Sequence, residues 1–421
     1  MSRNQKIIIG AVGFVVVFFV LVFLGWIPGL RNNNGLNSGK KVELAFWGVA
    51  DSVVMQNVIE YYQEYHQNVV VFYTQFDESN YEKKLIDAMA AGESPDILMF
   101  RNHWLVKHGG KIVSAPTDKI SLTQFRNLFP KVVEQDFVDN NNIYSLPLYI
   151  DTLVFIYNKD IFDAKSIAIP PRTWSEFQSL VPRLREMSAL GKINKSAGAI
   201  GGSEKSINTA SDLLNLIMMQ LTNQQGEIDF ERAALEALNF YTQFSDATNG
   251  SYTWNDGLGN SRETFGAGKT AVIFDYSSTV FNLKDKNPFL DIGVSEMLQP
   301  SDNGDSMNYA DYYGLSVSNQ SKNARTAWDF ILSFTTDPSL SESYLINSHQ
   351  PPALRSLIQK YSNDSDIGIF AKQALTARSW QQPDGEAVKT IFSEMIKAVT
   401  SRRLSVRDAI NQAYQEIKNM R

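Results

Sequence analysis

The sequence predicts an α/β protein, because strand patterns and helix patterns alternate along its body. Strand patterns lie at 42–47, 69–76 and 96–100, and helical patterns at 53–65 and 81–91 separate them. This order of strand, helix, strand, helix, strand is typical of a parallel sheet covered by helices. The chain has 421 residues, enough for two domains or one large bilobed unit.

A membrane anchor is predicted ahead of this body. Residues 7–27 read IIIGAVGFVVVFFVLVFLGWI without a charged side chain, and about 20 apolar residues span a bilayer as a helix. Arg3 and Lys6 lie in residues 1–6, which predicts a cytoplasmic N-terminus and a body outside the cell membrane. The alternative is a cleaved signal peptide, but its apolar region is normally about 7–15 residues long and ends at a small-residue site. Residues 28–40 are rich in Asn and Gly and predict a flexible linker.

Further elements follow the same two patterns through the rest of the body. Two helix starts carry residues typical of N-caps, Thr173 with Glu176 and Ser405 with Asp408. The polar residues 139–142 predict a hairpin turn. The remaining predicted elements are strands at 153–157 and 271–275 and helices at 174–190, 208–223, 230–246, 323–336 and 386–419.

Composition excludes several classes of function. The chain has no cysteine, which rules out disulfides, thiolate zinc sites, iron–sulfur clusters, thiol catalysis and a lipidated cysteine anchor. Once the four bases of residues 1–40 are set aside, the body carries 35 bases against 45 acids. An acidic body of this kind lacks the basic surface of a nucleic-acid-binding protein, so no nucleic acid is expected as a partner.

No motif argues for an enzyme, a cofactor or a metal. Residues 266–270 read GAGKT like the end of a phosphate-binding loop, but Glu263 replaces its first glycine and the strand follows instead of preceding. The four histidines, His66, His103, His108 and His349, form no HExxH motif. Paired carboxylates distant in sequence stay open as a route to glycan hydrolysis.

Several segments, in order, resemble the extracellular solute-binding proteins of family 1, which are the ligand-capturing subunits of ATP-binding-cassette (ABC) importers, mostly for sugars. Residues 143–163 read IYSLPLYIDTLVFIYNKDIFD, and PPRTWSEF follows at 170–177. The other matching segments are GESPDIL at 92–98, FGAGKTAVIFD at 265–275, YGLSVSNQSKNARTAWDFILSFTTDPS at 313–339 and SVRDAINQAYQEI within 386–419. The resemblance covers about residues 42–419, and the chain is similar to the maltodextrin-binding members.

The resemblance implies a two-lobe, periplasmic-binding-protein type II-like fold with a hinge and an inter-lobe cleft, preceded here by the single N-terminal transmembrane helix. It implies that lobe one comprises 41–149 and 313–348, and lobe two 150–312 and 349–421. Ligand would lie in the cleft, outside the carboxyl ends of the strands, and would be captured by hinge closure.

Eight side chains are candidates for ligand contact, each with packing inside its own lobe as the alternative. Asp51, Phe100 and Asp151 lie where relatives place a ligand-binding acid, a sugar-stacking aromatic and a hydroxyl-binding acid. Aromatic faces suit the C–H patches of sugars. For Asp151 the alternative is a hinge residue that binds backbone amides. The other candidates are Trp47, Trp254, Tyr276, Tyr312 and Trp380.

The function expected from the resemblance is extracytoplasmic capture of a mono- or oligosaccharide for an ABC importer permease. The same fold binding a polyamine or ferric ion is one alternative, since Tyr312 and Tyr313 form a tandem pair like the phenolate pairs of ferric-ion binders. A membrane-tethered ligand sensor or a glycan-acting enzyme is the alternative from a different class.

Overall fold

The structure, a computed structural model, describes residues 41–222, 230–302 and 305–420. Within these ranges the buried apolar side chains form two separate hydrophobic cores. This agrees with the predicted α/β fold of two lobes. The predicted anchor at 7–27 and linker at 28–40 lie outside the described residues. No helix in the described ranges is long and apolar enough to cross a membrane.

The first lobe is built on a six-stranded sheet. Its order runs Val69–Gln75, Val42–Gly48, Ile97–Arg101, Tyr313–Ser318 and Ile112–Val113, with Leu146–Pro147 also paired to Tyr313–Ser318. The first three strands pair parallel and Tyr313–Ser318 pairs antiparallel with its neighbours. The first four side chains of Ile97–Arg101 are buried, as expected of a strand covered on both faces.

Helices cover this sheet because each presents an apolar face to it. Ser52–Tyr65, for example, buries Met55, Val58, Ile59 and Tyr62, which recur at helical spacing. The helices that contribute to the first core are Ser52–Tyr65, Glu78–Ala91, Leu105–His108, Leu122–Leu128, Lys131–Phe137, Ala324–Thr336, Pro338–Ser348 and Arg355–Tyr361.

The second lobe has a smaller, antiparallel sheet. Val154–Asn158 lies at its centre between Val272–Asp275 and Ile292–Ser295. Its helices are Lys159–Ala164, Trp174–Leu184, Ala210–Leu221, Phe230–Thr242, Ser261–Gly266, Ser277–Lys286, Gly385–Thr400 and Val406–Lys418. The helix Ser261–Gly266 precedes the strand Val272–Asp275, so residues 266–270 are a turn into a strand, as predicted.

Three short strands join the lobes. Asn308–Asp311 pairs with Asp151–Thr152 on one side and with Ala377–Arg378 on the other. Each of these strands continues directly into a segment of one lobe, for example Asn308–Asp311 into Tyr313–Ser318. The chain therefore passes between the lobes more than once, and these strands form the hinge.

Two predicted helices end earlier than expected. The predicted helix at 386–419 is two helices, Gly385–Thr400 and Val406–Lys418, separated at Arg402, whose φ is 57°, and capped again by Ser405. The predicted helix at 174–190 ends at Leu184, and a hairpin of Glu186–Met187 with Ile193–Lys195 follows. In both places a short chain reversal ends the helix, and the periodicity of apolar residues does not predict it.

The predicted hairpin at 139–142 is confirmed. Val138–Asp139 pairs antiparallel with Asn142–Ile143. Asn140 and Asn141 have φ values of 48° and 64°, the left-handed region that asparagine tolerates in tight hairpin turns.

The division between the lobes differs near the end of the chain from the one that the resemblance implies. Ala353, Leu354, Leu357 and Ile358 pack into the first core, although the expected boundary assigns residues after 348 to the second lobe. The helix Gly368–Ala374 contributes Phe370 to the second core and Ala371 to the first. The exact division of the chain remains a prediction.

Candidate functional site: the cleft between the lobes

A cavity with a volume of about 760 Å³ lies between the two lobes. The first lobe, the hinge and the second lobe all contribute to its walls, at the ends of the strands Ile97–Arg101 and Val272–Asp275. The lining residues are Val49, Ala50, Glu78, Ser79, Glu82, Met99, Arg101, Trp104, Tyr149, Asp151, Asn208, Thr209, Asp212, Arg262, Tyr276, Ser278, Asp311, Tyr313, Tyr344, Gln350, Glu386 and Lys389.

Asp151 ties the hinge to the second lobe. Its carboxylate accepts hydrogen bonds from the Ser277 backbone N–H at 3.1 and 3.2 Å, from the Ser277 hydroxyl at 2.6 Å and from the Thr152 N–H at 2.9 Å. Burial outweighs these bonds and raises the pKa of Asp151 to about 7. Asp151 therefore lines the cleft while it holds the start of the helix Ser277–Lys286.

Arg101 carries the main charge cluster on the first-lobe wall. Its guanidinium donates to both carboxylate oxygens of Asp311, at 2.9 and 2.5 Å. Attraction to Arg101 overcomes the effect of burial and lowers the pKa of Asp311. Glu78 and Glu386 lie at 3.5 and 3.3 Å from Nη1 of the same guanidinium. The pair of Arg101 and Asp311 is thus strong and bidentate, and the two glutamates lie beside it.

The second-lobe wall carries Asp212 and Tyr276. The Tyr276 hydroxyl donates to Asp212 at 3.0 Å. Burial raises the pKa of Asp212 to about 6, against the attraction of Lys389. Lys389 lies 3.7 Å from Glu204, whose pKa burial raises to about 7.

Arg262 lies on the same wall and is already paired. It donates to both oxygens of the buried Asp275 at 2.7 and 2.8 Å.

Neutral hydrogen-bonding side chains accompany the charges, namely Ser79, Asn208, Thr209, Ser278 and Gln350. Together with the hydroxyls of Tyr149 and Tyr276 they supply donors and acceptors suited to a polyhydroxylated ligand.

One edge of the cleft is bridged by direct contacts between the lobes. Lys107 lies 2.7 Å from Asp384, the N-cap of the helix Gly385–Thr400. A Cβ added at Gly385 would overlap the His103 ring, so the two lobes approach at a residue without a side chain. Burial, with the positive charge of Arg101, lowers the pKa of His103 to about 4, so this ring is neutral at pH 7.

Two of the eight candidate residues, Asp151 and Tyr276, line the cleft. Asp51 caps the helix Ser52–Tyr65, accepting from Val53 and Val54 N–H at 2.8 and 3.2 Å. Trp47 packs on Phe76 with ring centroids 4.8 Å apart. Their neighbours Val49 and Ala50 are the residues of that loop that line the cavity.

The other four candidates do not line this cavity: Phe100, Tyr312 and Trp254 are buried inside the lobes, and Trp380 is half-buried against the second core. Phe100 and Tyr312 are 1% exposed and belong to the first core, where the Tyr312 hydroxyl donates to Asp136 at 2.7 Å. Trp254 is fully buried and donates to Ser206 at 3.0 Å. Trp380 stacks on Phe392 with centroids 6.0 Å apart. These aromatic rings pack in or against the hydrophobic cores, which is the commoner location of a large ring.

Charged lining residues are what the candidate set missed. Arg101 is the last residue of the strand Ile97–Arg101, and Asp311 is the last residue of the strand Asn308–Asp311. Asp212 is the one charged residue in the mostly apolar helix Ala210–Leu221. A single carboxylate in a mostly apolar helix is the signal that would have found Asp212.

A ferric site at the tandem tyrosines does not match the geometry. The Tyr312 hydroxyl points to Asp136 in the core, and the Tyr313 hydroxyl donates to Glu78 at 3.3 Å. Burial raises the pKa of both phenols. The two oxygens therefore neither converge nor lose their protons readily. Within the described ranges, His, Asp and Glu form no group that could hold a metal ion.

Comparison with known proteins agrees with the fold and the cleft. Residues 57–368 match the family described as "Bacterial extracellular solute-binding protein". A maltotriose-binding protein of Pyrococcus abyssi is 19% identical over 382 residues, which cover 87% of this chain and 79% of that protein.

Two solved structures show the same fold at low identity. The sugar-binding protein MalE from Xanthomonas citri has a TM-score of 0.75 and 16% identity, covering 90% of this chain and 97% of that chain. An ABC substrate-binding protein from Listeria monocytogenes, in complex with cycloalternan, has a TM-score of 0.72 and 15% identity, covering 90% and 98%.

The family match spans most of the body, and it includes the strands Ile97–Arg101 and Val272–Asp275, at whose ends the cleft lies. It confirms the resemblance found in the sequence and places the body outside the cytoplasm. It also identifies the molecule as a binding protein and not an enzyme. The chain belongs to the bacterial extracellular solute-binding proteins.

Proposed function

We propose that this protein captures a carbohydrate in the inter-lobe cleft by hinge closure and delivers it to an ABC importer. The observation that carries the proposal is a cavity of about 760 Å³ whose walls come from both lobes and the hinge. That volume lies in the range of small-molecule sites, about 300–1,000 Å³. A ligand that touches both walls stabilises the closed arrangement more than an open one.

The chemistry of the walls supports a sugar. Carboxylate, amide and hydroxyl groups and tyrosine rings all line the cavity, so the hydroxyls and the C–H faces of a sugar would both find partners. The Pyrococcus relative is a maltotriose-binding protein, and the structural neighbours are named for sugars. These names support a mono- or oligosaccharide as the ligand of this chain.

The proposal includes a tether. The apolar run at 7–27 would hold the body at the cell membrane with the N-terminus inside and residues 28–40 as linker. This makes a membrane-anchored, single-pass protein that stays near an importer permease. The proposed lobes are 41–149 with 313–348 and 150–312 with 349–421, with the first core extended by residues 353–358.

A second ligand class is favoured by one observation, the acidic excess of the cleft. A polyamine would use the same carboxylates through its ammonium groups.

A membrane-tethered sensor would use the same cleft and hinge but would pass the signal to a membrane partner instead of a permease.

Thermal unfolding of the full-length chain in mild detergent tests the carbohydrate proposal. Candidate ligands are mono- and oligosaccharides, with spermidine and ferric citrate as the non-sugar arm. A ligand at 100 times its Kd stabilises the folded state by about 2.7 kcal/mol, so a bound sugar raises Tm. Chromatography of the recovered sugar should show it unchanged. A shift by spermidine with no shift by any sugar would overturn the proposal.

A further inference from the structure

The two lobes contact each other on both sides of the cleft. On one side the Lys107 ammonium lies 2.7 Å from the Asp384 carboxylate, and the Arg101 guanidinium lies 3.3 Å from Glu386. The two bases belong to the first lobe, and the two acids lie at the start of the helix Gly385–Thr400 in the second. We call these two contacts the ion-pair gate.

On the other side an aromatic pair joins the lobes. The rings of Phe281 and His349 stack with their centroids 4.7 Å apart and an angle of 20° between their planes. Phe281 lies on the helix Ser277–Lys286, which packs in the second core. His349 directly follows the helix Pro338–Ser348, which packs in the first. We call this pair the ring gate.

The hinge strands place the two gates at opposite ends of the cleft. Asn308–Asp311 is the middle strand of the hinge, between Asp151–Thr152 and Ala377–Arg378. The ion-pair gate follows Ala377–Arg378 by a few residues. The ring gate lies on the helix whose first residue, Ser277, is hydrogen-bonded to Asp151 at the opposite edge. Neighbouring strands are about 4.8 Å apart, so the outer hinge strands are separated by roughly 10 Å.

The cavity lies between the two gates. Glu82 and Glu386 line it beside the ion-pair gate, and Ser278 and Gln350 line it beside the ring gate. Ser278 lies one helical turn before the phenylalanine of the ring gate, and Gln350 directly follows His349. A contact between the lobes therefore bounds the cavity at each end.

From these contacts we infer that the ligand is a short linear oligosaccharide, of the length of a di- or trisaccharide, which lies between the two gates. The inference rests on the proposed carbohydrate function and specifies its ligand class. Neither gate has room for a sugar ring between its partners, since one holds an ion pair at hydrogen-bond distance and the other a ring stack. A longer chain lying along the cleft would extend through a gate and break it.

The gates also connect the length of the ligand to closure of the cleft. A short ligand allows both gates to form, so their contacts add to the stability of the closed arrangement. A longer ligand separates the partners of a gate and loses those contacts, which lowers its preference for the closed arrangement. Phe281, His349, Lys107 and Asp384 thus determine ligand length, because they select against long chains that the cleft walls alone would accept.

Calorimetric titration of the full-length chain in mild detergent tests the inference with two homologous series. The probes are linear α-1,4-glucans of two, three and seven units, α-cyclodextrin, and linear β-1,4-mannans of two, three and six units. In a series that binds, the di- or trisaccharide should bind at least about fivefold more tightly than the longest chain, the factor that corresponds to loss of the ring stack. α-Cyclodextrin should bind more weakly than maltotriose.

Variants that open each gate localise the effect. Phe281→Ala removes the ring stack, and His349→Gly removes it with a residue that suits the φ of 56° at this position. Lys107→Ala opens the ion-pair gate. Each variant should narrow the preference for the short sugar, and the combination of Phe281→Ala with Lys107→Ala should narrow it most.

Two control variants remove similar contacts that lie within a single lobe. Tyr61→Ala removes a ring pair on one helix, where the centroid of Tyr65 lies 5.5 Å away. Lys159→Ala removes an ion pair with Asp291 at 2.9 Å in the second lobe. Both controls should keep the preference for the short sugar.

The outcomes separate this inference from the proposal beneath it. If the longest chain or α-cyclodextrin binds as tightly as the di- and trisaccharide, the short-ligand inference is wrong and the carbohydrate function stands. A preference that survives the combination of Phe281→Ala with Lys107→Ala also overturns the inference. If no sugar of any length binds, the carbohydrate function itself fails, and the inference fails with it.

Discussion

At the scale of single residues, two tyrosines make similar bonds in different places. The Tyr276 hydroxyl donates to Asp212 in the cleft, and the Tyr312 hydroxyl donates to Asp136 in the first core. Both bonds join a phenol to a carboxylate. Replacing either tyrosine with phenylalanine removes the same kind of bond. The two variants therefore distinguish a contribution to ligand binding from a contribution to core stability.

We expect Tyr276→Phe to weaken the binding of the ligand found by thermal screening by roughly fivefold, with little change in stability. Tyr312→Phe should instead lower the free energy of unfolding by about 1–2 kcal/mol, because it leaves a buried carboxylate short of a donor. Calorimetry and urea unfolding measure the two quantities. Loss of affinity in Tyr312→Phe with unchanged stability would return Tyr312 to the binding site.

Residue chemistry also shows what the sequence could not reveal. Asp151 was found because a matching motif surrounds it, and it lies in the cleft. Phe100 was chosen because relatives place a sugar-stacking aromatic there, and Trp254 and Tyr312 as aromatics near the expected cleft, but a large ring can turn either into a core or out of it. That choice depends on side chains from distant segments, such as Asp136 for Tyr312, which local sequence does not contain.

At the scale of elements, contacts made by its N-terminal turn hold the helix Gly385–Thr400 against the first lobe. Asp384 pairs with Lys107 and Glu386 lies near Arg101, while Gly385 leaves room for the His103 ring. Each of these contacts crosses from one lobe to the other. The helix therefore fixes the distance between the lobes at one edge of the cleft.

Gly385→Ala should force this edge apart. Since the added Cβ overlaps the His103 ring, we expect a larger radius of gyration by small-angle X-ray scattering and weaker ligand binding. The double variant Gly385→Ala with His103→Ala should restore both, because the smaller side chain makes room. Unchanged scattering and affinity in the single variant would show that the edge does not set the lobe distance.

The boundaries of helices and strands could be predicted where a few neighbouring residues determine them. The strands Val42–Gly48 and Ile97–Arg101 and the hairpin at Asn140 and Asn141 were predicted from a few neighbouring residues. The break at Arg402 was missed because the apolar spacing continues on both sides of it. A cap at Ser405 was visible in the sequence, but nothing local shows that the preceding helix has ended.

At the scale of the whole molecule, buried carboxyl groups control the pH dependence of stability. Burial raises the pKa of Asp136, Asp151 and Glu204 to about 7. In the unfolded chain these groups titrate near pH 4. Between those values the folded state binds more protons than the unfolded state. Stability therefore increases as pH falls from 8 towards 6.

Urea unfolding at pH 8, 7 and 6 should show this increase, with each group contributing on the order of 1 kcal/mol per pH unit near its folded pKa. His103, whose pKa is lowered to about 4, works in the opposite direction as pH falls through about 6.5, so it offsets part of this increase at the lower end of the range. Asp136→Asn should flatten the slope. A protein that becomes less stable from pH 8 to pH 6 would contradict the prediction.

The first-lobe sheet also determines the order in which the molecule can form. Tyr313–Ser318 lies inside that sheet, between Ile97–Arg101 and Ile112–Val113. A ribosome must therefore make more than 310 residues before the sheet has its full set of strands. Contacts of such long sequence separation form late and slowly. We therefore expect the first lobe to stay unfolded while most of the chain is being made, which would leave the chain open to export in the unfolded state.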